Sequence, residues 1–591
     1  MQTNDRQITD LMKSVHNGKS QLPDFQRGWV WDDNRIKALI ASITNNYPVG
    51  AAMFLEYGNE NIRFKYRVIE SAPATNTIPE ELILDGQQRL TSIYSSLYSE
   101  KPVQTKTDKG KAIQRYYYID IAKALNSSIE RIEAIESVPE TRIVTSNFGR
   151  TIDKDLSSQE KEFEQKLFPL NIILDFAKIQ DWQNKYYAFY NYDPEIIKEF
   201  TLFNSKLVIP TMQYKIPVIV LEKDTPKEAV CQVFENVNTG GVSLTVFELV
   251  TAIFAMSDFE LRKDWEERKE KYFSGDILSV ITATDFLTAC TLLSTFKKGK
   301  TVSCKKRDVL DLTLEEYKKY ADVLSEGFIE AEKILQEERI FVSRDLPYST
   351  QLIPLATLCT LLADGNKIKV SSIKERIKQW YWCGVFGELY GSANETRYVN
   401  DVVGVMEWLE NPLNYPKTIQ EAYFNPNRLL TLQSRLSAAY KGIMALILKN
   451  HCNDFISGRE MDFTVYKAEN IDIHHIFPRD YCEKQKYSKA KWNSVINKTP
   501  ITYSTNREIG GVAPSKYLTK IENKGQVEPD TLNKYLQSHW IDVESCRADN
   551  FDKFIIERAK KLLDAIEIAM GKNISGRDSE EVIYSFGSKL I

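Results

Sequence analysis

Nowhere does this chain of 591 residues hold an apolar run near the roughly 20 residues needed to cross a bilayer. Its opening, Met1-Gln2-Thr3-Asn4-Asp5-Arg6, lacks the apolar core of a secretory signal, so neither export nor a membrane partner is expected. The 8 cysteines lie scattered from Cys231 to Cys546 with no C-x-x-C pair. That spacing argues against a disulfide framework or a thiolate zinc site, and points to a reducing, cytoplasmic setting. Strong basicity is missing too: the formal net charge is −4, which does not announce a nucleic-acid binder.

What is present is ordinary in bulk and informative locally. Such a length exceeds a single core, and two to four domains are expected. Apolar content of 43% and charged content of 27% fit a globular protein. Between Arg479 and Lys520, nine Lys/Arg stand against three Asp/Glu, a local net of +6. Binding phosphate needs a basic patch rather than a basic protein. A solvated lysine-rich face has the same composition.

Taken in order, Phe25-Gln26-Arg27 with Trp29 and Trp31 precedes a helix capped by Asp32 or Asp33, whose apolar face is Ile36, Leu39, Ile40 and Ile43. Those aromatics beside Arg27 suit either a phosphate-facing corner or plain core. Leu82 to Leu84 forms a short strand running into Asp85-Gly86-Gln87-Gln88-Arg89, with a helix following through Leu90, Ile93, Tyr94 and Leu97. Glycine permits the tight turn, the helix-start amides can meet an anion, and Arg89 is placed to pair with it. Asp85 can hold a metal or a water; an Asp-Gly pair is also an ordinary turn.

Arg115 to Asp120 and Ile216 to Leu221 read as strands, and residues 155–205 as helical. Asn236-Val237-Asn238-Thr239-Gly240-Gly241 is a loop with donors suited to phosphate or sugar, or simply a helix cap. Residues 258–440 are mainly helical by period, with no repeat or catalytic spacing. Phe551 to Met570 repeats apolar residues as a docking helix does.

The stretch around which the rest is organised is Ile471-Asp472-Ile473-His474-His475-Ile476-Phe477-Pro478, followed by Asn497 and Asn506-Arg507. Met461 to Ile473 alternates as a strand does, and Ser515 to Asn523 can form a helix with Pro514 just ahead. Strand, loop and helix would carry these polar groups to one place. That order matches a ββα-metal, or HNH, nuclease site.

The Asp85-to-Arg89 motif, with Phe25 to Arg27 and Trp31 before it and Asn236 to Gly241 after it, closely resembles the DUF262 family. The C-terminal part resembles the DUF1524, or HNH, family. The pairing looks like GmrSD-type, modification-dependent (type IV) restriction endonucleases and related antiphage-defence nucleases. The resemblance covers roughly the first 255 and last 150 residues. It implies an α+β multidomain fold: a ParB-like α/β domain over 1–257, a helical connector over 258–440, and a ββα-metal domain over 441–591.

By the same resemblance, nucleotide handling falls to Asp85, Gly86, Gln87, Gln88, Arg89, Arg27 and Asn238. His475 is the general base, Asn497 braces the loop, and His474 with Asn506 stands on the metal side. His474 replaces an aspartate common at such sites; imidazole is itself a competent ligand. Asp472 is a ligand or an orienter of one. The implied cofactors are Mg2+ or Mn2+ and a nucleoside triphosphate, and the implied partner is modified phage DNA, with a homodimer open to the chain.

The chemistry suits the residue types: neutral histidine takes a proton near pH 7, and a divalent metal stabilises the leaving oxygen. Two other functions use the same sequence. One is a nucleotide-regulated DNA-binding protein with a weakened site, the other an RNA-cleaving toxin.

Overall fold

The computed structural model describes every residue except 1, 25, 27, 30, 59–63, 147–150, 227–228, 231–244, 256, 300, 393, 470 and 525–526. Arg27, Asn238 and the Asn236 to Gly241 loop therefore lie outside the described residues. The chain divides into two compact units, Met1–Leu261 and Arg262–Ile591, and mixes helices with several small sheets. Among the described residues no helix is long and apolar enough to cross a membrane.

The first unit is built on a six-stranded mixed sheet. Its strands are β1 (Gln2–Gln7), β2 (Ser20–Pro23), β3 (Ala52–Glu56), β4 (Tyr66–Arg67), β5 (Glu81–Asp85) and β12 (Lys215–Leu221), in the order β1-β12-β3-β5-β2-β4. β12 runs parallel to β3 and β2 parallel to β5, while the β3–β5 pair is antiparallel. Asp32 caps the helix Asp33–Thr44 by accepting from Arg35 N at 3.0 Å, and Ile36, Leu39, Ile40 and Ile43 are buried on its inner face.

A second sheet joins β6 (Val103–Lys106), β7 (Ala112–Asp120), β8 (Ile135–Pro139) and β11 (Leu167–Pro169); β9 (Ile143–Ser146) and β10 (Thr151–Asp155) form a separate hairpin. Residues 155–205, expected to be helical, are mainly so, but Asp155 ends β10 and Leu167–Pro169 forms β11, which pairs with Tyr118 to Asp120 of β7. The helices Phe176–Phe189 and Pro194–Phe203 close the core through stacked and edge-on rings of Phe168, Trp182, Tyr186 and Phe200.

The second unit is mainly helical, as the period of residues 258–440 predicts. Leu352–Ala363 is buried on all sides from Leu352 to Leu362, and contacts Ala283–Lys297, Leu314–Glu337 and Glu395–Glu410. Ser371–Phe386 packs on both Ala438–Lys449 and Phe551–Met570, so the helical middle and the C-terminal region share one core. Into this core is set a two-stranded ribbon, β13 (Ile471–His475) and β14 (Lys498–Thr502).

Two local expectations need correcting. Met461 to Ile473 is not a strand throughout: Asp462 accepts from Val465 N at 2.9 Å and caps a helix, Phe463–Ala468, so extended backbone begins only at Ile471. The helix predicted from Ser515 starts at Pro514, whose fixed φ suits a first turn. An earlier helix, Tyr503–Ile509, carries Asn506.

Candidate functional site

β13 and β14 pair antiparallel from Ile471↔Thr502 to His475↔Lys498. Successive strand residues face opposite sides, so Asp472 and His474 share one face and His475 the other, beside Lys498. Helix Tyr503–Ile509 contacts both strands. It places Asn506 so that Nδ2 donates to Asp472 Oδ2 at 2.6 Å, leaving Oδ1 2.8 Å from His474 Nδ1. A carboxamide oxygen only accepts, so Nδ1 carries the proton and Nε2 the lone pair. That Nε2 is buried without a hydrogen-bond partner, with the rings of Phe455 and Tyr517 edge-on to the imidazole. Burial pulls the His474 pKa down to about 4 against the opposing bond to Asn506, and keeps the ring neutral at physiological pH.

On the other face His475 is half-buried, and its Nε2 donates to Asn493 Oδ1 at 3.3 Å, leaving Nδ1 as the free base. Burial lowers its pKa, with Lys498 and Arg479 acting in the same direction. Lys498 is itself buried: its Nζ donates to Gln433 O at 2.7 Å and lies 5.7 Å from the Tyr440 ring centroid. Desolvation, then Arg435, lowers that lysine to about 8. Arg435 reaches Asp472 Oδ1 at 3.9 Å.

Asn497 is fully buried and holds the loop between the strands. Its Oδ1 accepts from Phe477 N at 2.8 Å, while Nδ2 donates to the carbonyls of Phe477 and Trp492. It is a positioning residue. The structure thus joins Asp472, Asn506 and His474 in one chain of hydrogen bonds and sets His475 on the reverse of the same strand.

Among the described residues no group of three or more His, Cys, Asp or Glu is arranged to hold a metal ion. The donor set here instead completes itself with a carboxamide: one carboxylate, one imidazole and one amide oxygen. These are chemically acceptable ligands for a divalent cation. For His474 and Asn506 to hold a cation together, the Nδ1–H···Oδ1 hydrogen bond would have to break and the imidazole proton move to Nε2.

Several supporting residues escaped the sequence reading. Asp454 is buried; its Oδ2 accepts from Thr502 N and Oγ1, both at 2.9 Å, and its Oδ1 from Thr505 Oγ1 at 2.6 Å and Ser457 N at 3.0 Å. Burial alone would raise its pKa, and these donors outweigh it. Arg558 is buried with no carboxylate partner among the described residues: Nη1 donates to Ile496 O and, at 2.9 Å, to Lys498 O, and Nε donates to His539 O at 3.3 Å. Its sequence signal was a charge inside the apolar face Phe554, Ile555, Leu562. Asp454 offered the turn pattern Asp454-x-x-Ser457-Gly458.

In the first unit, Asp85 ends β5, and Gly86, at φ 87°, turns the chain into the helix Gln87–Leu97. At that angle an L side chain is strained. Arg89 Nη2 donates to Asp85 Oδ2 at 3.1 Å and Nη1 to Val49 O at 2.8 Å. Gly50 lacks the Cβ that would collide with that guanidinium. Gln88 Nε2 donates to Gly28 O at 3.3 Å, and Gln26 Nε2 to Ile83 O at 2.8 Å. Gln87 is buried at the helix start. The motif therefore gathers at one corner of the sheet, with Arg89 held by its own aspartate.

The chain is 29% identical to the uncharacterized protein MJ0686 of Methanocaldococcus jannaschii, over 95% of this chain and 98% of that protein. Residues 8–255 match the family model of the GmrSD restriction endonuclease, N-terminal domain. The first compact unit, which carries the Asp85-to-Arg89 corner, is thus similar to the N-terminal domain of GmrSD restriction endonucleases.

Proposed function

We propose that this chain is a metal-dependent restriction endonuclease in antiphage defence, cutting foreign, modified DNA at an HNH-type centre on the β13–β14 ribbon. Nucleotide binding or hydrolysis at Asp85 to Arg89, in a ParB-like domain, regulates it. The observation that carries the reading is the hydrogen-bonded set Asp472–Asn506–His474 on a strand–strand–helix unit, with a neutral His475 next in the strand. The similarity of the first unit to a restriction-enzyme domain supports the substrate class.

When bound, Mg2+ or Mn2+ supplies positive charge at the leaving oxygen. His474, Asn506 and Asp472 would hold it. His475 Nδ1 takes the proton of the attacking water as the water oxygen bonds to phosphorus and the P–O bond to the leaving sugar oxygen breaks. Asn493 fixes the tautomer that leaves Nδ1 available. Asn497 holds the loop that follows His475. At the other site, Arg89 exchanges its bond to Asp85 for a nucleotide phosphate, releasing the carboxylate to orient a water.

The test is cleavage of plasmid and of glucosylated-hydroxymethylcytosine phage DNA, with Mg2+ or Mn2+, with and without nucleoside triphosphates. Wild type is expected to cut only the modified DNA, and His475→Ala to cut neither. Cutting by the variant would remove His475 as the base. One observation favours a second reading, DNA binding with little cleavage: His474 is only 4% exposed, leaving a metal ion little access. DNA retention without cutting in either metal would select it.

A further inference from the structure

The local charge of residues 479–520 acquires a shape in the structure. Lys484, Lys486, Lys489, Arg507, Lys516 and Lys520 are all exposed, and no carboxylate pairs with any of them among the described residues. Cations nearby that do pair are Arg479 with Glu483 at 2.8 Å, Lys491 with Asp552 at 3.6 Å and Lys524 with Glu508 at 2.7 Å.

These residues come from separate segments that meet. The turn after helix Tyr503–Ile509 sets Gly511 against the carboxylate of Asp480, at the start of helix Arg479–Lys484. Lys520 Nζ donates to Glu508 O at 2.6 Å, which leans helix Pro514–Asn523 on helix Tyr503–Ile509 while leaving the ammonium charge uncompensated. Ser515 is anchored on Asp549, and the Tyr487 ring stacks on Phe551 at 4.4 Å, so both segments share that corner. Arg507 follows Asn506 directly and stands 5.7 Å from the ring centroid of Tyr503, which is 49% exposed.

We propose that these cations form one continuous seat for the phosphate backbone of duplex DNA, beginning beside Asn506 and extending along helix Pro514–Asn523. Point charges suit a ladder of phosphates, and read no sequence by themselves. Splayed single-stranded bases need several free aromatic platforms; here Tyr503 is exposed, whereas the Tyr487 ring is stacked on the buried Phe551. Lys516 and Lys520 lie one helical turn apart, about 6 Å along the axis, close to two base steps of one strand at about 6.8 Å. The seat takes its partner from the nuclease reading, but it is tested by binding in EDTA, and cutting serves only to separate the two readings.

Wild-type chain in EDTA is titrated against a labelled duplex by fluorescence anisotropy across a salt series. Arg507→Glu/Lys516→Glu is expected to weaken binding at least about tenfold and to flatten the log–log salt slope by about 2. The control, Lys367→Glu/Lys369→Glu, changes exposed lysines of the same unit by the same charge and is expected to bind as wild type. Lys516→Ala, with no acid introduced, should show the same trend at about half the slope change, and unchanged thermal melting would show that the variants fold.

Equal binding by wild type and the double variant overturns the seat, as does equal loss in the control. Absence of duplex binding, or tighter binding of single-stranded RNA, overturns it as well. Seat loss with metal-dependent cutting intact leaves the nuclease reading standing. Binding through the seat without cutting in Mg2+ or Mn2+ would sink that reading alone.

Discussion

His539 lies behind the ribbon, with its Nδ1 accepting the Thr499 hydroxyl at 2.6 Å and its Nε2–H donating to Asn453 O at 2.9 Å. Both nitrogens are thereby committed to the neutral ring, and burial drives the pKa down to about 3. The folded pKa is below the unfolded value of about 6.5, so the folded state binds fewer protons in between. Stability from this residue is complete above about pH 6.5 and is lost as pH falls toward 3. Between pH 7 and 5 the loss is about 2 kcal/mol. Urea unfolding of wild type and His539→Gln at both pH values measures it. The variant is expected to be less stable at pH 7 and to lose less on acidification; parallel pH dependences would show that His539 is not the titrating group. His474, with its pKa near 4, adds in the same direction.

At the scale of elements, the junction between β14 and helix Tyr503–Ile509 depends on Asp454. Thr502 caps that helix, and Asp454 holds both the Thr502 amide and the Thr505 hydroxyl one residue before Asn506. Asparagine at 454 keeps the volume but faces one set of these donors with an amide NH2. Asp454→Asn is expected to cost about 2–4 kcal/mol in urea unfolding, as removal of a buried hydrogen-bonded charge does. It should also lower cleavage at saturating metal without changing duplex affinity in EDTA. Affinity and cleavage falling together would mean that Asp454 supports the unit generally.

Elements that depend on local chemistry were legible in the sequence: the capped helix Asp33–Thr44, β5 with its glycine turn, and Phe551–Met570 by apolar period. Elements decided by partners far along the chain were not. β11 becomes a strand only because β7 offers an open edge, and no spacing announces that His539, Asp454 and Arg558 converge on the ribbon. The same limit applies within the site. The residue pattern brought Asp472, His474 and Asn506 together, whereas the partners of His475, Asn493 and Lys498, lie where only the folded loop could place them.

Across the whole molecule, a net charge of −4 coexists with +6 between Arg479 and Lys520. Such asymmetry steers a polyanion toward one region while the rest repels it, an effect that fades as salt shortens the Debye length to about 8 Å at 0.15 M. The two candidate chemistries also belong to different compact units, Asp85 and Arg89 to the first and His475 to the second. Single substitutions should therefore separate them. Arg89→Ala removes the guanidinium that bonds Asp85 and Val49 O, and is expected to abolish nucleotide turnover, measured as phosphate release, while DNA affinity in EDTA stays within about twofold of wild type because the phosphate seat is untouched. His475→Ala is expected to do the reverse, losing cleavage by at least about a hundredfold, the scale of a general base, with phosphate release retained. Mixing the two variants then asks whether one chain's nucleotide site can license another's ribbon. Restored cutting would require an assembly of at least two chains, and no restoration would tie the regulation to a single chain. Turnover surviving in Arg89→Ala would remove the Asp85-to-Arg89 corner as the nucleotide site and leave the anion-binding role of that helix start without its main argument.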